Sequence, residues 1–122
     1  MALAQIEKLK KTIVDSLEDI KAQDIVVIDV SEKTNIADYM IVASGTSTRH
    51  LRALVDNAAV DVKKAGFEVA GKEGSAASDW VLIDFGDIIL HAFMPESRAY
   101  YDIERLWQGA RPSDDDEMYN EE

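Results

Sequence analysis

The stretch DWVLIDFGDIILHAF, residues 79–93, constrains the fold more than any other part of this chain. Two apolar runs rich in branched side chains flank Gly86. Runs of that composition form strands, and a glycine between them supplies a tight reversal, so the cheapest arrangement is an antiparallel hairpin. A hairpin cannot bury itself, and the rest of the chain must bring further strands and covering helices.

It contains the patterns to do so. DIVVIDV (24–30) and YMIVA (39–43) read as buried strands on either side of the polar, turn-rich SEKTNIAD (31–38). Their lack of clean alternation predicts a sheet covered on both faces. FEVA (67–70) is the predicted third strand, and GKEGSAAS (71–78) a loop. Leu3, Ile6, Leu9, Ile13, Leu17 and Ile20 recur three and four apart, which predicts a helix over 3–20. Leu51, Leu54, Val55, Ala58 and Val62 predict a second from about 47 to 65, closing on KKAG. Pro95 stops the last strand, and Tyr100, Ile103 and Trp107 predict one final helix closed by Gly109. The order predicts an α/β sandwich with a mixed five-stranded sheet flanked by helices. With 122 residues, 47% of them apolar, the expectation is one domain over 1–109 and an acidic, disordered tail over 110–122.

Charge narrows the partners. The chain carries −11; residues 111–122 hold six acids and one base, and the body is acidic as well. Its bases are scattered, so a phosphate backbone is repelled, little direct nucleic-acid binding is expected, and a basic protein partner is favoured. No run approaches the roughly 20 apolar residues of a membrane span, and MALAQIEKLKK mixes charges where a signal peptide needs an apolar centre. The expectation is a soluble cytoplasmic protein without membrane attachment. The absence of cysteine excludes disulfides, thiolate zinc sites and a cysteine nucleophile.

No motif points to catalysis. SGTSTRH (44–50) has one glycine and no lysine, so it fails as a phosphate-binding loop, whereas Thr46, Ser47 or Thr48 can cap the helix that follows. Asp84-Phe85-Gly86 matches a kinase motif as text alone and reads better as a hairpin turn. Asp84, Asp87, His50 and His91 are too sparse for a metal site, and a histidine hydrogen-bonded on the sheet is the stronger reading. Serine and aspartate are plentiful, but SGTS lacks the G-x-S-x-G elbow of a hydrolase. Catalytic, cofactor and metal sites are therefore not expected. Trp80, Tyr101 and Trp107 read as core aromatics, Trp107 most strongly; Trp80, directly after an acidic and glycine-rich loop, also suits a partner anchor. Taken alone, the residues lead to an acidic α/β binding module.

ADYMIVASGTSTRH (37–50), Glu73-Gly74, DWVLIDFGDIILH (79–91) and ESRAYYDIERLW (96–107), in that order, make the chain resemble the ribosomal silencing factor, or Iojap, family over about residues 3–108. The resemblance implies a translational repressor that binds the large ribosomal subunit at ribosomal protein L-fourteen and blocks joining with the small subunit when nutrients are scarce. Organellar members are tied to large-subunit assembly. It also implies a nucleotidyltransferase-like scaffold. Catalytic members of that fold follow a Gly-Ser pair with paired aspartates on a strand; here SGTS leads to Arg49 and His50, and VIDV offers only Asp29, so the scaffold is expected without the catalysis.

The family's partner surface lies on the hairpin sheet face and adjoining helix. The resemblance carries that role to Trp80, Met94 and Tyr101 as apolar anchors, Arg98 as a fork of donors, and Asp84 and Asp87 as acids for a basic partner. Strand alternation means that not all of these face one way. Asp38, Tyr39, Arg49 and His50 match the family motif too, with structural roles expected. A sheet face that accepts a partner can accept a second copy, so a homodimer of the free protein is compatible with this reading. The rival readings are a nucleotidyltransferase-like enzyme and a general protein-interaction adaptor with no preference for the large subunit.

Overall fold

A computed structural model of the chain describes residues 3–74 and 78–108. Its elements are α1 (Leu3–Asp19), β1 (Gln23–Asp29), β2 (Tyr39–Ser44), α2 (Thr48–Lys64), β3 (Gly71–Glu73), β4 (Trp80–Asp84), β5 (Ile88–Phe93), α3 (Pro95–Tyr101) and α4 (Ile103–Gln108). The strands form one five-stranded sheet in the order β1-β2-β5-β4-β3, with β2 and β5 parallel and every other pair antiparallel. This is the mixed sheet flanked by helices that the sequence predicts.

The β4–β5 hairpin forms as expected, with Trp80 opposite Phe93 and Asp84 opposite Ile89. Gly86 turns the chain at φ 92°, a conformation costly for any residue with a Cβ, and the Asp84 carboxylate accepts its backbone N–H at 2.7 Å. Alternation then divides the side chains. Ile41, Ala43, Val81, Ile83, Ile88, Leu90 and Ala92 face α1 and α2, where they meet Leu9, Ile13, Leu17, Leu51, Leu54 and Val62 in the main core. On the opposite face Met40, Val42 and Phe93 join Ile28 and Val30 in a smaller cluster, against which Trp80, Ile89, Ile103 and Trp107 pack.

The long helices form where their apolar spacing places them. Ser47, one of the three candidate caps, accepts the His50 N–H at 3.0 Å and starts α2.

Three expectations are corrected. FEVA is not a strand: Phe67 and Val69 turn inward and pack on the main core, while the third strand is Gly71–Glu73, inside the stretch expected to be a loop. A three-residue exposed edge strand is held by its backbone ladder to β4 and needs no apolar pattern to form. The final helix is two helices, because Asp102 adopts a left-handed conformation, φ 50° and ψ 44°, that a short polar side chain tolerates. Tyr100 consequently leaves the expected stripe: it is 82% exposed, while Ile103 and Trp107 pack on the second cluster. Nor is the sheet evenly covered, since β1 is largely exposed and carries a register irregularity between Gln23 and Val26. The expected closing residue Gly109 and the acidic tail lie outside the described residues.

Candidate partner-binding face

The sheet face away from α1 and α2 combines two strands of the hairpin with the α3–α4 elbow. On β4 it presents Trp80, Leu82 and Asp84, and on β5 Ile89, His91 and Phe93. Trp80 is the hub. Its ring stacks on Phe93 with centroids 4.8 Å apart and tilts against Tyr101 at 4.7 Å. Its indole N–H donates to Nδ1 of His91 at 3.0 Å. Tyr101 is 52% exposed, Tyr100 meets it edge-on at 5.1 Å, and Leu106 on α4 is 72% exposed. The cluster therefore runs from a buried phenylalanine to open aromatic surface.

His91 lies beneath this surface. Burial holds its pKa down at about 4, so the ring is neutral at ordinary pH. Because Nδ1 accepts from Trp80, the proton sits on Nε2, which is buried and has no hydrogen-bond partner among the described residues. Leaving such a donor unpaired costs about 1–3 kcal/mol.

Arg98 occupies the seam between helix and sheet. Its Nε and Nη2 donate to the two carboxylate oxygens of Glu104 at 2.6 and 3.1 Å, and Nη1 donates to Ser44 Oγ at 2.8 Å. One guanidinium thus ties α3 to α4 across the Asp102 break and both to the end of β2. Asp79 secures the other end of α3: its carboxylate accepts from Ser97 Oγ at 2.6 Å and its carbonyl from the Met94 N–H at 2.9 Å.

The six residues assigned to the partner surface do not form one patch. Trp80 and Tyr101 are in contact, and Arg98 anchors the helix that carries Tyr101. Asp84 shares the sheet face with Trp80 at the far end of β4, its carboxylate already engaged by the turn. Asp87 lies in the turn itself, where its carbonyl accepts the N–H groups of Asp38 and Tyr39. Met94 packs against the main core on the other side. The expected donor fork of Arg98 is spent inside the protein. What sequence reasoning missed is the pairing of Trp80 with His91 and the involvement of Ser44 and Glu104; the β4–β5 register, once known, would have indicated the first.

Of the other motif residues, Tyr39 and His50 tie the scaffold together, while Arg49 is exposed. His50 accepts the Thr46 N–H at Nδ1 (2.9 Å) and bonds the Ile20 carbonyl through Nε2 (2.7 Å), linking the start of α2 to the end of α1. The Tyr39 hydroxyl donates to Glu7 at 2.8 Å. Lys10 approaches Glu7 at 2.7 Å and, with that hydroxyl, lowers the Glu7 pKa. Among the described residues no group of three or more histidine, aspartate or glutamate side chains is arranged to hold a metal ion. No helix among them is long and apolar enough to cross a membrane. What the face offers chemically is an aromatic surface that is open at Tyr101.

The sequence model described as "Ribosomal silencing factor during starvation" (RsfS) matches residues 3–122, extending the likeness through the acidic tail. A protein named Ribosomal silencing factor RsfS from Chromobacterium violaceum is 43% identical over 109 residues, covering 89% of each chain. A mouse protein named Mitochondrial assembly of ribosomal large subunit protein 1 is 40% identical over 98 residues, 78% of this chain and 43% of its own. An X-ray structure of a Chromobacterium violaceum protein superposes with a TM-score of 0.81 at 43% identity, covering 88% of this chain and 89% of that one.

Proposed function

This chain belongs to the ribosomal silencing factor family, and on that premise we propose that it represses translation by binding the large ribosomal subunit at ribosomal protein L-fourteen and sterically blocking its joining with the small subunit. The observation that carries the reading is the graded aromatic cluster of Trp80, Phe93 and Tyr101, open at Tyr101 and supported from beneath. Aromatic side chains that are rigidly backed yet reachable are the usual energetic centre of a protein interface. A standard interface buries roughly 800 Å² on each partner, which one sheet face of a domain this size can supply.

The mechanism needs no reaction. A subunit held by this protein is withdrawn from the joining equilibrium, and the bulk of the domain provides the block. The charge of −11 favours a basic protein partner over direct contact with ribosomal RNA. The setting is the cytoplasm. The mouse relative's name favours a second role in large-subunit assembly, through the same surface.

The test is sedimentation of the protein with separated large and small subunits, followed by light scattering of subunit joining. Co-sedimentation with the large subunit alone and inhibited joining are expected, and Trp80→Ala should weaken binding by about 30-fold or more while remaining folded. Failure to bind the large subunit would overturn the reading and return an adaptor or nucleotide-binding role to first place.

A further inference from the structure

Trp80 sits at a point where stacking alone does not define it. Contact with Phe93 and Tyr101 sets the plane of the indole, but the torsion that turns an aromatic ring about its bond to Cβ has two broad wells about half a turn apart. The two flips present different ring edges outward. One polar atom tells them apart: Nε1, which in the structure reaches Nδ1 of His91 at 3.0 Å.

His91 is well placed to decide between them. It is 3% exposed, so water does not compete for Nδ1, and its ring lies within 17° of parallel to Phe93 at 6.0 Å. Phe93 therefore supports both rings from the same strand. No acidic or basic side chain among the described residues is hydrogen-bonded to the imidazole, and its burial keeps it neutral, so Nδ1 remains an acceptor. A leucine or phenylalanine at this position would avoid the unpaired Nε2–H but would leave the Trp80 indole N–H without this acceptor, so the unpaired donor accompanies the Trp80–His91 bond.

We propose that His91 is the positioning residue of the partner face: by accepting the Trp80 indole N–H it holds the ring in one flip, so that the same edge always meets the partner. The partner half of this inference rests on the function proposed above; the positioning half does not. A pre-set anchor avoids the ordering cost of choosing a flip on binding, and its loss should appear in affinity more than in fold.

The experiment uses the full chain with nitrogen-15 in its tryptophan side chains, the Trp80 resonance being identified by its loss in Trp80→Phe. His91→Asn keeps an acceptor near the Nδ1 position, and His91→Phe keeps a ring without one. The wild type and His91→Asn should give a single, exchange-protected indole N–H signal, and His91→Phe a shifted or doubled, unprotected one. Large-subunit affinity should fall about tenfold in His91→Phe, recover in His91→Asn, and show no further fall when His91→Phe is added to Trp80→Phe.

Should His91→Phe fail to fold, replacing Trp80 by benzothienylalanine removes the donor, leaves His91 in place, and should give the same loss of affinity. An unchanged indole signal in His91→Phe, or an equal loss of affinity with and without the indole N–H, overturns the proposal. A wild type that does not bind the large subunit overturns the functional reading instead, while the indole signal still decides whether His91 holds the ring.

Discussion

The two faces of the sheet are built by different means. Against one lie two 17-residue helices, and the space between is filled mainly by aliphatic side chains, with Leu9, Ile13, Leu17, Leu51 and Leu54 fully buried. Against the other lie two helices of seven and six residues over a smaller apolar cluster that includes Ile28, Val30, Met40 and Val42, and what distinguishes this face are its ring and polar contacts: Trp80 on His91 and Phe93, Arg98 on Glu104 and Ser44. Dispersion and exclusion of water tolerate many side-chain arrangements, whereas hydrogen bonds and ring contacts prescribe directions. The first face is thus suited to supplying stability and the second to holding a surface in one shape.

The strongest way to break that division is a cavity in the aliphatic face. Leu54→Ala should cost about 3–5 kcal/mol, read by urea denaturation, because a fully buried side chain is removed from a closely packed site. The protein that remains folded should bind the large subunit as the wild type does. A large loss of affinity in that folded fraction would show that the two faces are not separable.

Arg98→Ala comes next. It leaves Glu104 and the Ser44 hydroxyl without their partner in a largely enclosed seam, at a cost of about 2–4 kcal/mol. It should also lower affinity, because α3 and α4 carry Tyr101 and Leu106. Arg98→Lys should rescue little, since an ammonium cannot reproduce three directed bonds. A mutant of unchanged stability but weakened binding would restore Arg98 as a direct contact, the role that the family resemblance assigned to it.

Acid should act on the ring-built face. His91 titrates at about 4 when folded and near 6.5 when unfolded, so its native pKa is depressed by burial. Above about pH 6.5 both states are neutral and the stabilising difference is complete. As pH falls, the unfolded chain takes a proton that the folded one does not, and stability declines until the folded pKa is passed. Between pH 7 and 5 this loss should be about 2 kcal/mol. Comparing urea midpoints of wild type and His91→Asn isolates it from carboxylates such as Glu7 and Asp29, whose lowered pKa values add their own loss on acidification. Identical pH profiles would place His91 in a more polar setting than its burial indicates.

How far the sequence disclosed this architecture follows from the range of each signal. The helices α1 and α2 and the hairpin were legible because their periodicities run over many residues and depend on local geometry. The third strand was misplaced because Phe67 and Val69 carry an apolar pattern for a different reason, while Gly71–Glu73 carries none. Nor did any local pattern announce the elbow at Asp102, and with it went the logic of Arg98. Glu104 lies six residues away, not a neighbour on a continuous helix, and meets the guanidinium because the chain bends between them. Trp80 and Tyr101 read as core aromatics, Trp80 also as a partner anchor, but the pairing of Trp80 with His91 depended on strand register.

The smallest expected effect concerns the acidic C-terminal residues. Residues 111–122 carry −5 of the total −11, and the chain reaches them from Gln108 at the end of α4, the helix that packs beside the ring-built face on β1. If that charge guides a basic partner toward the face, deleting residues 110–122 should slow association by about two- to fivefold at low salt and leave dissociation unchanged. The difference should fade as salt rises, because exposed charges are screened beyond about 8 Å at physiological ionic strength. Stopped-flow association at two salt concentrations separates the possibilities. Faster dissociation would mean that the tail touches the partner, and the interface would then extend beyond the sheet face. An unchanged association rate would leave steering to the acidic body, sharpening the division between a face that holds the fold and the one proposed to meet the ribosome.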